Sequence, residues 1–338
     1  MNRRKALIVA GAVAVAGTAA LVTRRVRGGP GPKRPVGVPV GPFGADSTAE
    51  EVTAGIDLGG RVALVTGVTS GLGAETLRVL TMHGAHVLGT GRTLDKAAKA
   101  CAAAGDRATP LALELTDFDS VVACAEAARR AAPAIDLLIC NAGIMALPKL
   151  EQVNGLEKHF VTNHLGHFLL VNRLLDRVTA AGQGRVVVLS SRGYIWAPPE
   201  GIEFDNLSGE RGDYDPNRAY GQSKLANGLF SFELARRLAG TRATSNSVHP
   251  GIIRTQLGRH FPEWKKVLSR LIGWTFMKSI PEGAATQCYV ATNPRLAGVS
   301  GRYFANCNPE VPGGRMEDAA LASKLWSVSE ELTRNWLT

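Results

Sequence analysis

The chain has 338 residues, 45% of them hydrophobic and 20% charged, with 38 Gly and five Cys, which excludes a disordered tail or a disulfide-stapled miniprotein and suits one large domain or two small ones. Its formal net charge of +10 is not a nucleic-acid signal: residues 1–44 carry eight Lys/Arg and no acid, leaving 31 basic against 29 acidic side chains in the remainder. That body is near neutral and has no basic stripe interleaved with aromatics, so no nucleic-acid partner is expected.

Residues 6–23, ALIVAGAVAVAGTAALVT, run 18 positions without a charge between Arg3-Arg4-Lys5 and Arg24-Arg25-Val26-Arg27. As a helix they span roughly 27 Å, just enough for a ~30 Å hydrocarbon layer, so a membrane anchor is expected. Five Lys/Arg follow the run through Arg34 against three before it, which puts the body on the cytoplasmic side. The Arg3-Arg4 pair and the small Ala14-Val15-Ala16 triplet keep a second reading open, export through a cleaved twin-arginine-type signal. Residues 28–44 hold six Gly and five Pro in seventeen positions, a composition for an extended spacer rather than helix or sheet. Within the body, 45–338, Ser47-Thr48-Ala49-Glu50 reads as a capping box opening a short helix, with the folded domain proper starting near Asp57.

From Arg61 the period switches repeatedly. Short apolar or β-branched runs at 61–66, 85–90, 108–115, 135–140, 185–190 and 243–248 predict strands buried on both faces. Amphipathic stretches at about 72–83, 95–104, 118–131, 151–177 and 216–239 predict the helices between them, and a late strand at 301–305 and a helix at 316–336 close the chain. Alternating βαβ units need crossovers and imply a doubly wound α/β domain, a single Rossmann-type parallel sheet with ligands at the carboxyl ends of its strands. The five cysteines (Cys101, Cys124, Cys140, Cys288, Cys307) are odd in number and lack CxxC spacing, as expected of buried, reduced thiols.

Thr66 to Gly73, TGVTSGLG, lies between the first strand and a helix. Gly67, Gly71 and Gly73 fall where the chain turns tightly and backbone N–H groups meet a pyrophosphate, making Thr69, Ser70 and Leu72 candidate cofactor contacts with them. The second strand ends Thr90-Gly91-Arg92 with no acid to meet a ribose 2′-hydroxyl, and a guanidinium suits a 2′-phosphate, so NADP(H) is favoured with NAD(H) left open. Asn141-Ala142-Gly143 ends the fourth strand and Ser190-Ser191 the fifth, facing the same crevice. Tyr220 and Lys224 stand four apart on one helix face, where an ammonium favours a phenolate and makes the phenol usable as an acid or base.

In this order TGxxxGxG, NAG, Asn163 in VTNHLGHFLL, Ser-Ser, YxxxK and Pro250-Gly251-Ile252-Ile253-Arg254-Thr255 resemble the short-chain dehydrogenases/reductases. NHLGHFLL, SKLAN, VHPG, GAAT and GRYF are similar to the retinol dehydrogenase branch and to the oxidoreductase domain of WW-domain-containing oxidoreductases. The resemblance implies that Tyr220 is the general acid/base, Ser191 rather than Ser190 binds the substrate oxygen, Lys224 holds the nicotinamide ribose and depresses the Tyr220 pKa, and Asn163 anchors a proton-relay water. It places Asn141, Ala142, Gly143, Pro250, Gly251, Ile253 and Thr255 along the cofactor, with Glu114 and Leu115 near the adenine, where Glu114 replaces the family's usual Asp.

The 29-residue interval from Ser191 to Tyr220 exceeds that of the simplest members, so 192–219 is expected to be an inserted loop whose Trp196, Phe204 and Tyr214 wall an apolar substrate. The aromatic-rich segment 261–277 is expected to be the lid, possessing enough Lys and Arg to touch lipid. His164 and His167 lack a third neighbouring ligand and are assigned to packing or surface roles, with no metal expected. The expected function is an NADP(H)-dependent oxidoreductase acting on a small lipophilic alcohol or carbonyl, retinoid- or steroid-like, anchored to a membrane, with an oligomer left open. The competing readings are an exported reductase and a non-catalytic nucleotide-binding interaction protein.

Overall fold

The computed structural model describes residues 32–145, 147–253 and 277–337. The apolar segment 6–23, Thr255 and the lid segment up to residue 276 lie outside these residues. Among the described residues no helix is long and apolar enough to cross a membrane.

The elements in chain order are α1 (Ala49–Thr53), β1 (Val62–Val65), α2 (Gly71–Met82), β2 (His86–Gly91), α3 (Leu94–Ala104), β3 (Ala108–Ala112), α4 (Phe118–Ala131) and β4 (Leu137–Cys140). A small antiparallel pair, β5 (Gln152–Val153) and β6 (Leu156–Glu157), precedes a helical turn at Lys158–Phe160, a π turn at Val161–Leu165 and α5 (Gly166–Ala180). Then come β7 (Arg185–Leu189), α6 (Pro216–Arg237), β8 (Thr244–His249), α7 (Ile280–Thr292), β9 (Tyr303–Ala305), β10 (Asn308–Glu310) and α8 (Ala319–Leu337). Among the described residues the main sheet has eight strands in the order β10-β9-β8-β7-β4-β1-β2-β3, parallel except for β10 against β9. From β1 the chain winds to β2 and β3 on one side and from β4 to β7 and β8 on the other, so the switch point is the β1/β4 pair, where Leu64 is in register with Leu138.

The strands are apolar on both faces because both faces are covered. Leu64, Leu138, Val186 and Val188 pack with α4, α5, α6 and α8 residues such as Val121, Phe168, Leu225 and Trp326, whereas Ala63, Val65, Ile139 and Val187 pack with Leu77 and Leu80 of α2 and Tyr289 of α7. These two cores serve one compact unit that begins at Pro35. Its leading segment lies against α7: the Phe43 ring meets Tyr289 edge-on at 5.7 Å, and Asn308 Nδ2 donates to Phe43 O at 2.8 Å. All five cysteines are buried and unbridged.

Four local expectations need correction. The capping box is Thr48 with Glu51, one residue later than Ser47 with Glu50, because Ser47 Oγ instead accepts from Gly44 N. The third strand ends at Ala112, since Glu114 N is taken by Ser120 Oγ and Thr116 by the Glu114 carboxylate. The predicted helix 151–177 starts only at Lys158, after a hairpin that turns through Asn154 and Gly155 at positive φ. Of the 192–219 loop aromatics, Phe204 and Tyr214 turn inward: Phe204 packs against the core under Lys324, and the Tyr214 hydroxyl lies 3.4 Å from both Glu157 Oε1 and His159 Nδ1.

Candidate active site

The floor of the site is built by β1, β2 and the N-terminus of α2. Gly67 adopts φ +73°, and a Cβ on Gly73 would sit 2.2 Å from Gly67 O, so only glycine allows the loop to fold back on its helix. Gly67 N donates to Thr90 Oγ1 at 3.2 Å and Val68 N to Thr90 O at 2.9 Å, which ties the loop to the tip of β2. Ser70 occupies the N-cap of α2 without a side-chain capping bond, leaving the first helical N–H groups directed at the crevice. Arg92 follows β2, exposed and without a hydrogen bond or ion pair among the described residues. A glycine cradle, an uncapped helix N-terminus and a free guanidinium are the donor set a phosphorylated dinucleotide requires. Glu114 fits less well, because its carboxylate accepts from Thr116 N and Thr116 Oγ1 at 3.1 and 2.8 Å. Leu115 is buried against Gly166, in the core rather than on the crevice.

Above this floor four side chains converge from three elements. Tyr220 of α6 is buried with the Ser191 side chain beside it, and Ser191 Oγ accepts from Gly193 N at 3.0 Å. Ser190 points away, donating to Lys224 O at 2.7 Å, so of the serine pair only Ser191 meets the phenol. Lys224 Nζ donates to Leu189 O at 3.0 Å and stands 5.9 Å from the centre of the Tyr220 ring. Asn163, in the π turn, accepts from Ile144 N at 2.8 Å and donates to Ile144 O at 3.1 Å and Ser223 Oγ at 2.9 Å, while Ser223 Oγ donates to Tyr220 O at 2.8 Å. Asn163 thus clamps the loop after β4 to the helix that carries Tyr220. A Cβ on Gly143 would lie 3.0 Å from Asn163 Oδ1 and 3.5 Å from Lys224 Nζ, which brings the NAG turn into the same cluster.

The electrostatics depart from expectation at one point. Burial raises the Tyr220 pKa above its ordinary value, partly opposed by the Ser191 side chain, instead of Lys224 depressing it. Lys224 is itself desolvated, its pKa lowered to about 8, and one of its N–H groups donates to a backbone carbonyl.

The Pro250-Gly251 turn is backed by Lys278, whose N donates to Ile252 O at 2.8 Å. Ile253 and Leu72 converge on Gly283 of α7, within 2.6 and 2.8 Å of where its Cβ would stand, joining the turn to α2. Several structural partners of the site were not singled out from sequence: Thr66, which accepts from Asn141 N and Ala142 N at 2.9 Å each, Ser223, and Gln287, which reaches Thr76 and Asn141 from α7. Thr66 opens the glycine loop and Ser223 sits inside YxxxK, so position within those motifs was the available signal. His249, buried at the end of β8, accepts from Arg192 N at 3.2 Å.

Residues 61–195 match the family model of the short chain dehydrogenases. The chain is 41% identical over 309 residues to the short-chain dehydrogenase TIC 32 B, chloroplastic, of Brassica napus, covering 86% of this chain and 94% of that protein. The chain belongs to the short-chain dehydrogenase/reductase family. It is 40% identical over 291 residues to human retinol dehydrogenase 14, covering 80% of this chain and 85% of that one, so within the family it lies in the retinol dehydrogenase-like branch. A crystal structure of an uncharacterized protein from Mycobacterium paratuberculosis superposes with a TM-score of 0.68 at 31% identity, covering 84% of this chain and 97% of that chain. The Pseudomonas aeruginosa RhlG/NADP complex superposes with a TM-score of 0.59 at 26% identity, covering 74% and 95%. Members of this family bind a nicotinamide cofactor, and this chain is an oxidoreductase of that family.

Proposed function

We propose that the protein is an NADP(H)-dependent reductase or dehydrogenase that interconverts a lipophilic alcohol and its aldehyde or ketone, with Tyr220 as general acid/base. The observation that carries this reading is the buried cluster in which Tyr220 shares one helix with Lys224, is clamped through Ser223 to Asn163 and has the Ser191 side chain beside it. The cofactor, when bound, supplies the hydride. In reduction, Tyr220 Oη delivers a proton to the carbonyl oxygen while Ser191 Oγ donates a hydrogen bond to the same atom. Lys224 orders the ribose side of the crevice and Asn163 anchors the water that restores the proton. Gly67, Thr69, Ser70, Gly71, Leu72 and Gly73 would hold the pyrophosphate, Asn141, Ala142, Gly143, Pro250, Gly251, Ile253 and Thr255 the nicotinamide side, and Arg92 the 2′-phosphate.

The preference for NADP(H) rests on Arg92 at an acid-free strand tip and is in keeping with the NADP complex of the RhlG neighbour. The lipophilic substrate rests on exposed Trp196, whose ring lies 6.4 Å from that of Tyr220, with Ile195 and Ile252 exposed on the adjoining turns, and on the likeness to a retinol dehydrogenase. Segment 6–23 supports a membrane-anchored chain with its body in the cytoplasm, and retention of the full-length protein in carbonate-washed membranes tests that placement. Recovery of a shortened chain outside the cytoplasm replaces the anchor with export.

The activity is tested with purified protein, NADPH or NADH, and aldehydes and ketones of graded chain length. Turnover rises with chain length and prefers NADPH, and Tyr220→Phe binds NADPH but loses about 10²–10⁴-fold in turnover. Near-normal turnover of the variant removes Tyr220 from the mechanism.

A further inference from the structure

We propose that His167 is a positioning residue for this reaction, a neutral imidazole that locks the Asn163 turn to the Asn141-Ala142-Gly143 turn through the hydroxyl of Thr66. His167 and Thr66 are 1% and 0% exposed, so every polar atom of the pair has to find its partner inside the protein. His167 Nδ1 lies 3.0 Å from Asn163 O. A carbonyl oxygen only accepts, so Nδ1 carries the imidazole proton and Nε2 is left as an acceptor. Nε2 lies 3.0 Å from Thr66 Oγ1, and the Thr66 hydroxyl therefore gives its single proton to it. Both remaining lone pairs of that hydroxyl are used, one by Asn141 N and one by Ala142 N, each at 2.9 Å. The chain of bonds has one consistent assignment from end to end.

Its two ends matter. At one end the Asn163 carbonyl belongs to the π turn, in which Gly166 N bonds Val161 O, and the Asn163 side chain projects from that turn to Ile144 and Ser223. At the other end the NAG turn passes beside Asn163 Oδ1 and Lys224 Nζ. A π turn inserted in a helix is a local irregularity of the kind that marks functional sites, and it needs a fixed partner to hold one register. His167 provides it, four residues on, from the first turn of α5. A protonated imidazole would have no acceptor to offer Thr66, so the neutral form is part of the device, and burial holds this pKa down to about 4. His164, three residues earlier, has a separate role: its Nε2 is 2.8 Å from Ser329 Oγ of α8, among the rings of Phe160, Phe168 and Phe230.

The proposal rests on Tyr220 as the acid/base, so wild type and Tyr220→Phe are assayed beside Thr66→Val, His167→Leu, His167→Gln and the Thr66→Val/His167→Leu double variant, all as full-length protein with NADPH and the best aldehyde of the screen. Thr66→Val keeps the side-chain shape and removes only the hydroxyl. It and His167→Leu are each expected to lower kcat about tenfold with KM for the aldehyde within about twofold, and the double variant to lose no more than the worse single one, because both cut the same chain. His167→Gln, which retains one donor and one acceptor, recovers most of the loss. Thr66→Val with kcat within about twofold of wild type overturns the proposal, as does a double variant whose loss is the product of the two single losses. If His167→Leu does not fold, Thr66→Val and His167→Gln decide: Thr66→Val must lose kcat and His167→Gln must stay closer to wild type than it does. Turnover retained in Tyr220→Phe defeats the acid/base reading instead, and leaves the coupling between Thr66 and His167 to be judged by the double variant alone.

Discussion

Lys224 Nζ donates to the Leu189 carbonyl at 3.0 Å, so the buried ammonium is anchored to the end of β7 while it stands beside the Tyr220 ring. The same carbonyl also accepts from Asn227 Nδ2 at 2.9 Å, one helical turn further along α6. The carbonyl is therefore satisfied without the lysine, and the energetic balance at Lys224 is dominated by desolvation of its charge.

Lys224→Met is accordingly expected to stabilise the cofactor-free protein at pH 7 while abolishing efficient turnover. The folded pKa of about 8 lies below the unfolded value of 10.5, so burial cost is fully present below pH 8, where both states are charged, and is lost as pH rises through 10.5, above which both are neutral. The gain at pH 7 is on the order of 3 kcal/mol and shrinks toward zero above pH 10.5. Urea midpoints of wild type and variant across that range measure it, and a variant less stable at pH 7 would show that the ammonium contributes net stability.

Arg92 is free to bind because the fold does not use it: it is exposed at the end of β2, and its neighbours Thr93 and Asp95 serve the start of α3. Removing a charge-assisted contact to a 2′-phosphate costs roughly 1.5–3 kcal/mol, about one to two orders of magnitude in Kd. Arg92→Ala should weaken NADPH by that amount in a fluorescence titration and leave NADH nearly unchanged. Equal weakening of both cofactors would assign the discrimination elsewhere.

Three histidines make the fold sensitive to mild acid. Burial lowers His164 and His249 to about 3 and His167 to about 4, all below the ordinary 6.5. Between pH 6.5 and about 4 the unfolded chain takes up protons that the native state refuses, so stability falls as pH falls, by about 1.4 kcal/mol per pH unit for each histidine. Unfolding midpoints at pH 7, 6 and 5 should drop steeply, and His249→Asn should remove about a third of the slope. A flat profile between pH 7 and 5 would contradict the buried neutral imidazoles.

The parts of this architecture that follow from period and punctuation were legible in the sequence. α4 occupies 118–131 as expected because Asp117 caps it and Phe118, Val121, Cys124, Ala125 and Ala128 repeat at helical spacing. α7 escaped notice because Gly283 to Thr292 is buried without interruption, leaving no exposed polar face to set a period. Its Ser279-Ile280-Pro281-Glu282 start is nevertheless a capping box with Pro in the first turn, a signal the sequence does contain. Tyr220 and Lys224 are legible because their spacing is their chemistry, whereas Asn163 and the choice of Ser191 over Ser190 rest on the resemblance to the short-chain dehydrogenases/reductases. Thr66, His167 and Gln287 were not found as partners, since their hydrogen bonds join positions 75 to 211 residues apart and depend on which strands become neighbours. The upward shift of Tyr220 was missed for the same reason: helical spacing places Lys224 near the phenol, while burial belongs to the assembled core.

Gly73→Ala tests whether the first turn of α2 is as closely packed against the loop as its geometry requires. Helix propensity alone favours alanine there by about 1 kcal/mol. The added Cβ would, however, lie 2.2 Å from Gly67 O and 2.6 Å from Asn141 Nδ2, both inside contact distance. Neither neighbour moves freely: Gly67 is bonded through its N to Thr90, and Asn141 Nδ2 donates to Thr66 O at 2.8 Å. Overpacking of this kind costs typically about 1–3 kcal/mol, which outweighs the propensity gain and displaces the backbone that would contact the pyrophosphate. Gly73→Ala is therefore expected to lower thermal stability and to weaken NADPH and NADH together, because the pyrophosphate is common to both. Gly182→Ala serves as the control, since nothing lies within 4 Å of its added Cβ. A Gly73→Ala protein that binds both cofactors like wild type would mean that the α2 N-terminus does not approach the loop this closely in solution.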